Sequence, residues 1–171
     1  MPTNLEIFRK DFLNAKTYIQ RKDGVPLRLL DNLSPDELKI AEEELIAAID
    51  PGDSWPVMGL GHIKSVKALK KLYPLLNYSS RGTKVMIAYA IYQITQDPSM
   101  IDITIRETSP LNKWVDLIDI MYILPEFKNE KTDKLLHQFA DHPEYLVAYN
   151  ATRALGLPTE PVIERFRKKK M

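Results

Sequence analysis

The chain contains no cysteine, which removes a disulfide scaffold, a cysteine-ligated zinc site and a thiol nucleophile together. Histidine is almost as scarce. His62, His137 and His142 lie far apart, and no His-x-x-x-His or His-Glu-x-x-His spacing places two ligands on one helix face. Glycine is sparse too, and Gly59-Leu60-Gly61 lacks both the third glycine and the preceding strand of a dinucleotide loop. There is no Gly-x-Ser-x-Gly nucleophile elbow either. These absences leave no catalytic residue, metal or cofactor to assign, and a non-enzymatic protein is the expectation. No apolar run approaches the roughly 20 residues that span a bilayer, and the first residues lack a basic leader followed by an apolar stretch. A cytoplasmic protein with no membrane association is therefore expected. Charge is balanced as well: 24 basic against 23 acidic side chains give no general field to attract nucleic acid or an anionic membrane.

What the sequence does contain is helical periodicity. Leu5, Phe8, Phe12, Ala15 and Tyr18 or Ile19 predict one amphipathic helix over residues 4–20. Ser34-Pro35-Asp36-Glu37 combines a hydroxyl cap, proline at the first helical position and acids in the first turn, so a helix starts there. Asp50-Pro51-Gly52-Asp53 breaks it, and a short helix follows over about 54–60. Residues 63–76 form another helix, kinked or ended by Pro74, with Val66 on its apolar face. Residues 77–82 read as a polar turn. Lys84 to Ile94 is nearly all apolar, which a helix tolerates when buried on more than one side. Ser99 to Glu107 alternates like a strand at Ile101, Ile103 and Ile105, yet its neighbours make helix the better reading. Three more helices follow over 112–124, 130–140 and 144–155, and a last one over 161–171.

The helices recur. Stacking Leu60, Ile91, Ile123 and Leu155 gives spacings of 31, 32 and 32 residues. One position earlier stand Gly59, Ala90, Tyr122 and Ala154. Three earlier stand Val57, Ala88, Ile120 and Thr152; eight earlier, in the last three copies, stand Thr83, Val115 and Val147. Small residues thus recur where helices approach closely. A single helix pair of this length cannot bury both faces, so copies stack on a shared core. The expectation is an all-α, right-handed α–α superhelix of about four pairs in one domain, with a helical cap over 1–33, repeats over 34–157 and a terminal cap over 158–171.

Ala151-Thr152-Arg153-Ala154-Leu155-Gly156, preceded by Asp141 and Pro143, resembles the second helix of short HEAT repeats. Leu60-Gly61-His62-Ile63 with Val66, Ala68 and Leu69 resembles the passage between units in the same family. The likeness covers residues 34–157 and implies a solenoid that binds macromolecules along one curved face; it implies no particular reaction. Such repeats often carry arginine seven positions before the stacked leucine, where this chain has Asp53, Lys84, Asp116 and Ala148. That column is either a ladder of ion pairs between neighbouring helices or a polar stripe for a partner. Asp119 is a second departure, standing where the other copies have Ile87 and Ala151.

Polar or amphipathic residues on otherwise apolar second helices are the candidate partner site: Lys84, Lys113, Asp116, Asp119, Tyr149 and Arg153. Their expected partner is a protein, and size and architecture suit a toxin-neutralising immunity protein or an assembly adaptor. The tail Arg165, Arg167, Lys168, Lys169 and Lys170 is the sharpest basic cluster, but a helix C-terminus favours cations without any ligand. Nucleic-acid binding, as in HEAT-like DNA glycosylases, is accordingly the weaker alternative, and a bilin lyase-like role is a third. Trp55 and Trp114, both near starts of second helices, are expected to pack in the core or between units rather than to form a base-stacking platform. Glu42-Glu43-Glu44 reads as plain solvated surface.

Overall fold

The computed structural model describes residues 1–79 and 81–168. It is helical, with no strand among the described residues. The chain divides into two compact units, Met1–Asp97 and Pro98–Met171.

In the first unit the expected helix over residues 4–20 is broken. Helix α1 (Asn4–Phe8) passes into a π-helical turn, Arg9–Leu13, and a separate helix α2 (Tyr18–Arg21) starts afresh. The cause is a reciprocal capping box. Thr17 accepts from the Gln20 backbone N–H, while the Gln20 side chain accepts at 3.0 Å from the N–H groups of both Thr17 and Lys16. These local bonds give the backbone an alternative to continuing the helix. Phe8 and Phe12 stay buried, whereas Tyr18 and Ile19 fall outside the apolar stripe and are exposed. A further single turn, α3 (Arg28–Asp31), buries Leu30.

Helix α4 (Pro35–Ala47) begins where the sequence predicts, because Ser34 and Glu37 cap each other reciprocally and Pro35 follows the cap. Its acidic run is not idle surface. Glu44 pairs with Arg9, Glu42 accepts from the Ser65 hydroxyl at 2.7 Å and pairs with Lys67 at 3.0 Å, and Glu43 pairs with Lys67 at 3.0 Å. Successive helix residues point ~100° apart, so three adjacent acids reach different neighbours.

Helix α5 (Ser54–His62) ends in a Schellman motif: the Lys64 N–H bonds the Gly61 carbonyl and the Ser65 N–H bonds the Leu60 carbonyl, both at 3.0 Å. A 3₁₀ turn, Val66–Ala68, leads into α6 (Leu69–Tyr78), which carries Pro74 without ending. Val66 lies in that turn and is exposed. The polar turn expected over 77–82 is far shorter, since α6 reaches Tyr78 and α7 (Arg81–Thr95) begins three residues on. Every residue from Val85 to Ile91 is buried, with α5 and α6 both packed on α7. Gly61 sets the α5–α7 approach, because a Cβ there would meet the Cα of Ala90 at 2.8 Å.

The second unit opens with α8 (Ser99–Thr108). It buries Ile101, Thr104 and Thr108, a helical stripe that overrides the strand-like alternation. Helix α9 (Trp114–Ile123) runs into a 3₁₀ turn, Leu124–Phe127. Helices α10 (Glu130–Ala140), α11 (Tyr145–Ala154) and α12 (Glu160–Lys168) follow, and α11 packs on both α9 and α10. Lys169 and Lys170 of the basic tail lie outside the described residues.

Lys64, Gln96 and Lys128 adopt left-handed φ values of 54°, 57° and 49° and stand 32 residues apart; Lys64 and Gln96 follow α5 and α7, and Lys128 closes the 3₁₀ turn after α9. Helix α11 ends in its own Schellman motif at Gly156, with φ of 68°.

Candidate functional site

Of the six residues expected to form a site, five fall in the second unit. Lys84 belongs to the first, half-buried on α7. Lys113 caps α9 and is exposed, Asp116 is half-buried, Asp119 and Arg153 are exposed, and Tyr149 is half-buried. Helix geometry explains the split between the two aspartates. Asp116 turns toward the side of α9 that buries Ile120 and Ile123, while Asp119 lies with the residues that face solvent.

That solvent face is more apolar than the sequence suggests. On α9, Val115, Asp119 and Tyr122 recur at i, i+4 and i+7, and Val115 and Tyr122 are each 57 % exposed. On α11, Leu146, Asn150 and Arg153 follow the same spacing, with Leu146 43 % exposed. The Tyr122 hydroxyl donates to Asn150 Oδ1 at 3.1 Å and ties the two stripes into one face. Sequence reasoning placed Tyr122 in a column of small residues and Val115 in a recurring β-branched column, both as packing positions. A usable signal was present: a tyrosine cannot fit where Gly59, Ala90 and Ala154 allow close approach, so it had to turn outward. Trp114 is likewise 46 % exposed, whereas Trp55 is buried.

Two charges on this face lack compensation. Neither Asp119 nor Arg153 has an ion pair or side-chain hydrogen bond among the described residues. Asp119 reaches solvent, yet the atoms crowded around its carboxyl desolvate it and push its pKa above the ordinary range. Chemically, the face offers aromatic and aliphatic contact area with one anion and one cation.

The strongest electrostatic centre of the first unit is structural. Asp53 does not wait for a helix neighbour in its repeat column: Arg21 grips it with two bonds of 2.9 and 2.8 Å, Lys16 reaches it at 2.8 Å, and the Trp55 N–H donates at 3.1 Å. Burial opposes the charge, but the bonds from Arg21, Lys16 and Trp55 outweigh it and hold the carboxyl down at about 2. Arg21 also donates to the Ala15 carbonyl at 2.7 Å and lies 4.5 Å over the Trp55 ring, which in turn packs edge-on against Phe12. One aspartate thereby clasps the broken N-terminal segment to the start of α5.

The histidines are scattered in the structure as in the sequence. His62 bonds Asp31 at 2.7 Å, and His142 Nδ1 accepts the Glu144 N–H at 3.1 Å. Among the described residues no three potential ligands converge on a metal-sized site, and no helix is long and apolar enough to cross a membrane. An open cavity of about 320 Å³ lies between α11 and α12, walled by Tyr145, Ile163, Phe166 and Arg167. Arg165 lies over Phe166, donating from Nη2 to the Ala140 carbonyl and from Nη1 to Asp141. Comparison with protein-family models, with curated proteins and with solved structures finds no match to this chain.

Proposed function

We propose that this chain is a HEAT-like, right-handed α–α superhelix acting as a non-enzymatic protein-binding module, and that its partner docks on the α9–α11 face. The repeat reading is supported by the left-handed residues at 32-residue intervals, and by second helices that contact each other in both units, α5 with α7 and α9 with α11. The observation that carries the function is the exposed stripe itself: Val115, Tyr122 and Leu146 held in a rigid frame beside an uncompensated Asp119 and Arg153. Aromatic anchors with arginine at the centre of a patch are where interface energy concentrates. A cytoplasmic immunity-type inhibitor or an assembly adaptor fits a small, stiff, cysteine-free module of this kind.

Affinity capture from the source cells tests the reading. The native chain is expected to retain a stoichiometric protein, and Tyr122→Ala with Leu146→Ala is expected to release it while the circular dichroism stays helical. Recovery of the same proteins by both forms, or of none by either, overturns the assignment.

A further inference from the structure

Tyr149, Arg165 and Arg167 are not among the residues of the α9–α11 stripe. All three bear instead on the cavity of about 320 Å³ between α11 and α12, Arg167 as part of its wall and the other two through the aromatic rings that line it. Ile163, Phe166 and Arg167 recur at i, i+3 and i+4 on α12, so one face of that helix supplies most of the wall. Tyr145, in the first turn of α11, supplies the rest. The rings hold one another in place. Tyr145 packs edge-on against Phe166 with centroids 5.4 Å apart, and Tyr149, one turn further along α11, backs Tyr145 at 5.7 Å. Arg165 lies 5.0 Å over the Phe166 ring, and its guanidinium is itself anchored, donating to the Ala140 carbonyl at 3.0 Å and to Asp141 at 3.3 Å. A wall braced in this way keeps its shape before anything enters, so a ligand bears little of the ordering cost that weakens binding to a loose surface.

Among the described residues Arg167 is the only charged member of that wall. It is exposed, and it has no ion pair there, not even with Glu164 three residues earlier on α12. We propose that this cavity is a binding site for a small aromatic carboxylate. The ring of the ligand enters against Tyr145, Phe166 and Ile163, and its carboxylate receives two parallel N–H donors from the Arg167 fork. Edge-to-face contact with Tyr145 and Phe166 adds to simple area burial, which favours a ring over an aliphatic chain of equal size. One guanidinium neutralises one negative charge, which a monocarboxylate carries and a phosphate monoester exceeds. The volume stands at the lower end of the range for small-molecule sites, about 300–1,000 Å³, and suits one ring or two fused ones. The site is built from α11 and α12 alone and does not depend on the docking face proposed above.

Titration of the full chain with 2-naphthoate, followed by nuclear magnetic resonance, tests the proposal. Saturable shifts are expected at Tyr145, Ile163 and Phe166, with a Kd below about 1 mM. The uncharged isostere 2-naphthamide is expected to bind at least about tenfold more weakly, because it lacks the charge that Arg167 recognises. Arg167→Gln changes an exposed side chain, and circular dichroism should stay helical. It is expected to weaken 2-naphthoate by about tenfold while leaving 2-naphthamide unchanged, a difference that mere loosening of the cavity would not produce. Tyr145→Ala removes an aromatic wall and is expected to weaken both probes. The proposal is overturned if 2-naphthoate gives no saturable shift, or if its shifts fall on residues away from α11 and α12. Equal affinity for acid and amide, or an Arg167→Gln variant that binds 2-naphthoate as well as the native chain, overturns it too.

Discussion

Replacing Asp53 with asparagine isolates one charge while keeping the cap. The amide oxygen can still accept the Trp55 N–H that Asp53 accepts at 3.1 Å, but Arg21 and Lys16 lose their anion. The carboxyl is held at about 2 against an ordinary 3.8. Each pKa unit corresponds to ~1.4 kcal/mol, so the full difference is worth roughly 2.4 kcal/mol. Solvent screens part of this: the Asp53 side chain is only 14 % exposed, but that of Lys16 is 61 % exposed, and exposed pairs contribute ~0 to 1 kcal/mol. The expected loss is therefore about 1–2 kcal/mol at neutral pH. Because the folded pKa is depressed, this contribution is present above 3.8 and disappears as pH falls toward about 2. Urea titrations of the native chain and of Asp53→Asn, run between pH 7 and pH 2, should show a stability gap at neutral pH that closes in acid. A gap that is absent at pH 7, or that persists unchanged to pH 2, would refute the claim that this carboxylate clasps the N-terminal segment.

Three further outcomes follow from particular contacts. Gly61→Ala places a Cβ 2.8 Å from the Cα of Ala90 and 2.5 Å from Gln93 Oε1; it should destabilise by about 1–3 kcal/mol, read as a drop in the urea midpoint. Lys64→Gly should do the opposite and stabilise by a net ~0.5–1 kcal/mol, because relief of a left-handed φ of 54° outweighs the greater chain entropy of unfolded glycine. A fall in thermal midpoint on that substitution would show that the lysine side chain contributes more than its backbone strain costs. For Asp119 the sign is reversed relative to Asp53. Burial raises its folded pKa, so the folded chain binds the proton more tightly than the unfolded chain, and stability is lost as pH rises through the window above the ordinary carboxyl value. Asp119→Asn should remove that loss. In a dilute sample the variant should be the more stable form at pH 7, and the difference should vanish at pH 3.

Local chemistry was legible wherever it overwhelmed its context. The Ser34–Glu37 box and Pro35 fix the start of α4 by themselves, since a capped, proline-led first turn satisfies donors that would otherwise go unpaired. The Thr17–Gln20 box was equally readable, and it divides a stretch whose apolar spacing alone argues for one continuous helix. Spacing reports which residues prefer the interior; it is silent about a competing backbone hydrogen bond. The site was legible only in part. Asp119 stood out as a polar break in an apolar column and Arg153 as a charge on an otherwise apolar helix, whereas Tyr122 and Val115 fell in columns read as packing positions. An amphipathic pattern says that a side chain is apolar, and only the neighbouring helix decides whether another element covers it.

From the sequence alone came the all-helical class and the starts of α4 and α5, because caps, prolines and turn residues are local in the chain and act within a turn or two. The tertiary structure decided the rest. It sent Asp53 to Arg21 and Lys16 rather than along its repeat column, and engaged the acids of α4 with Arg9, Ser65 and Lys67. It also set the solvent stripes of α9 and α11 side by side with Tyr122 and Asn150 joined between them. These pairings link residues up to 37 positions apart in the chain. Which of several competing partners a charge or an aromatic ring meets depends on where packing leaves it, and the one-dimensional pattern does not hold that information.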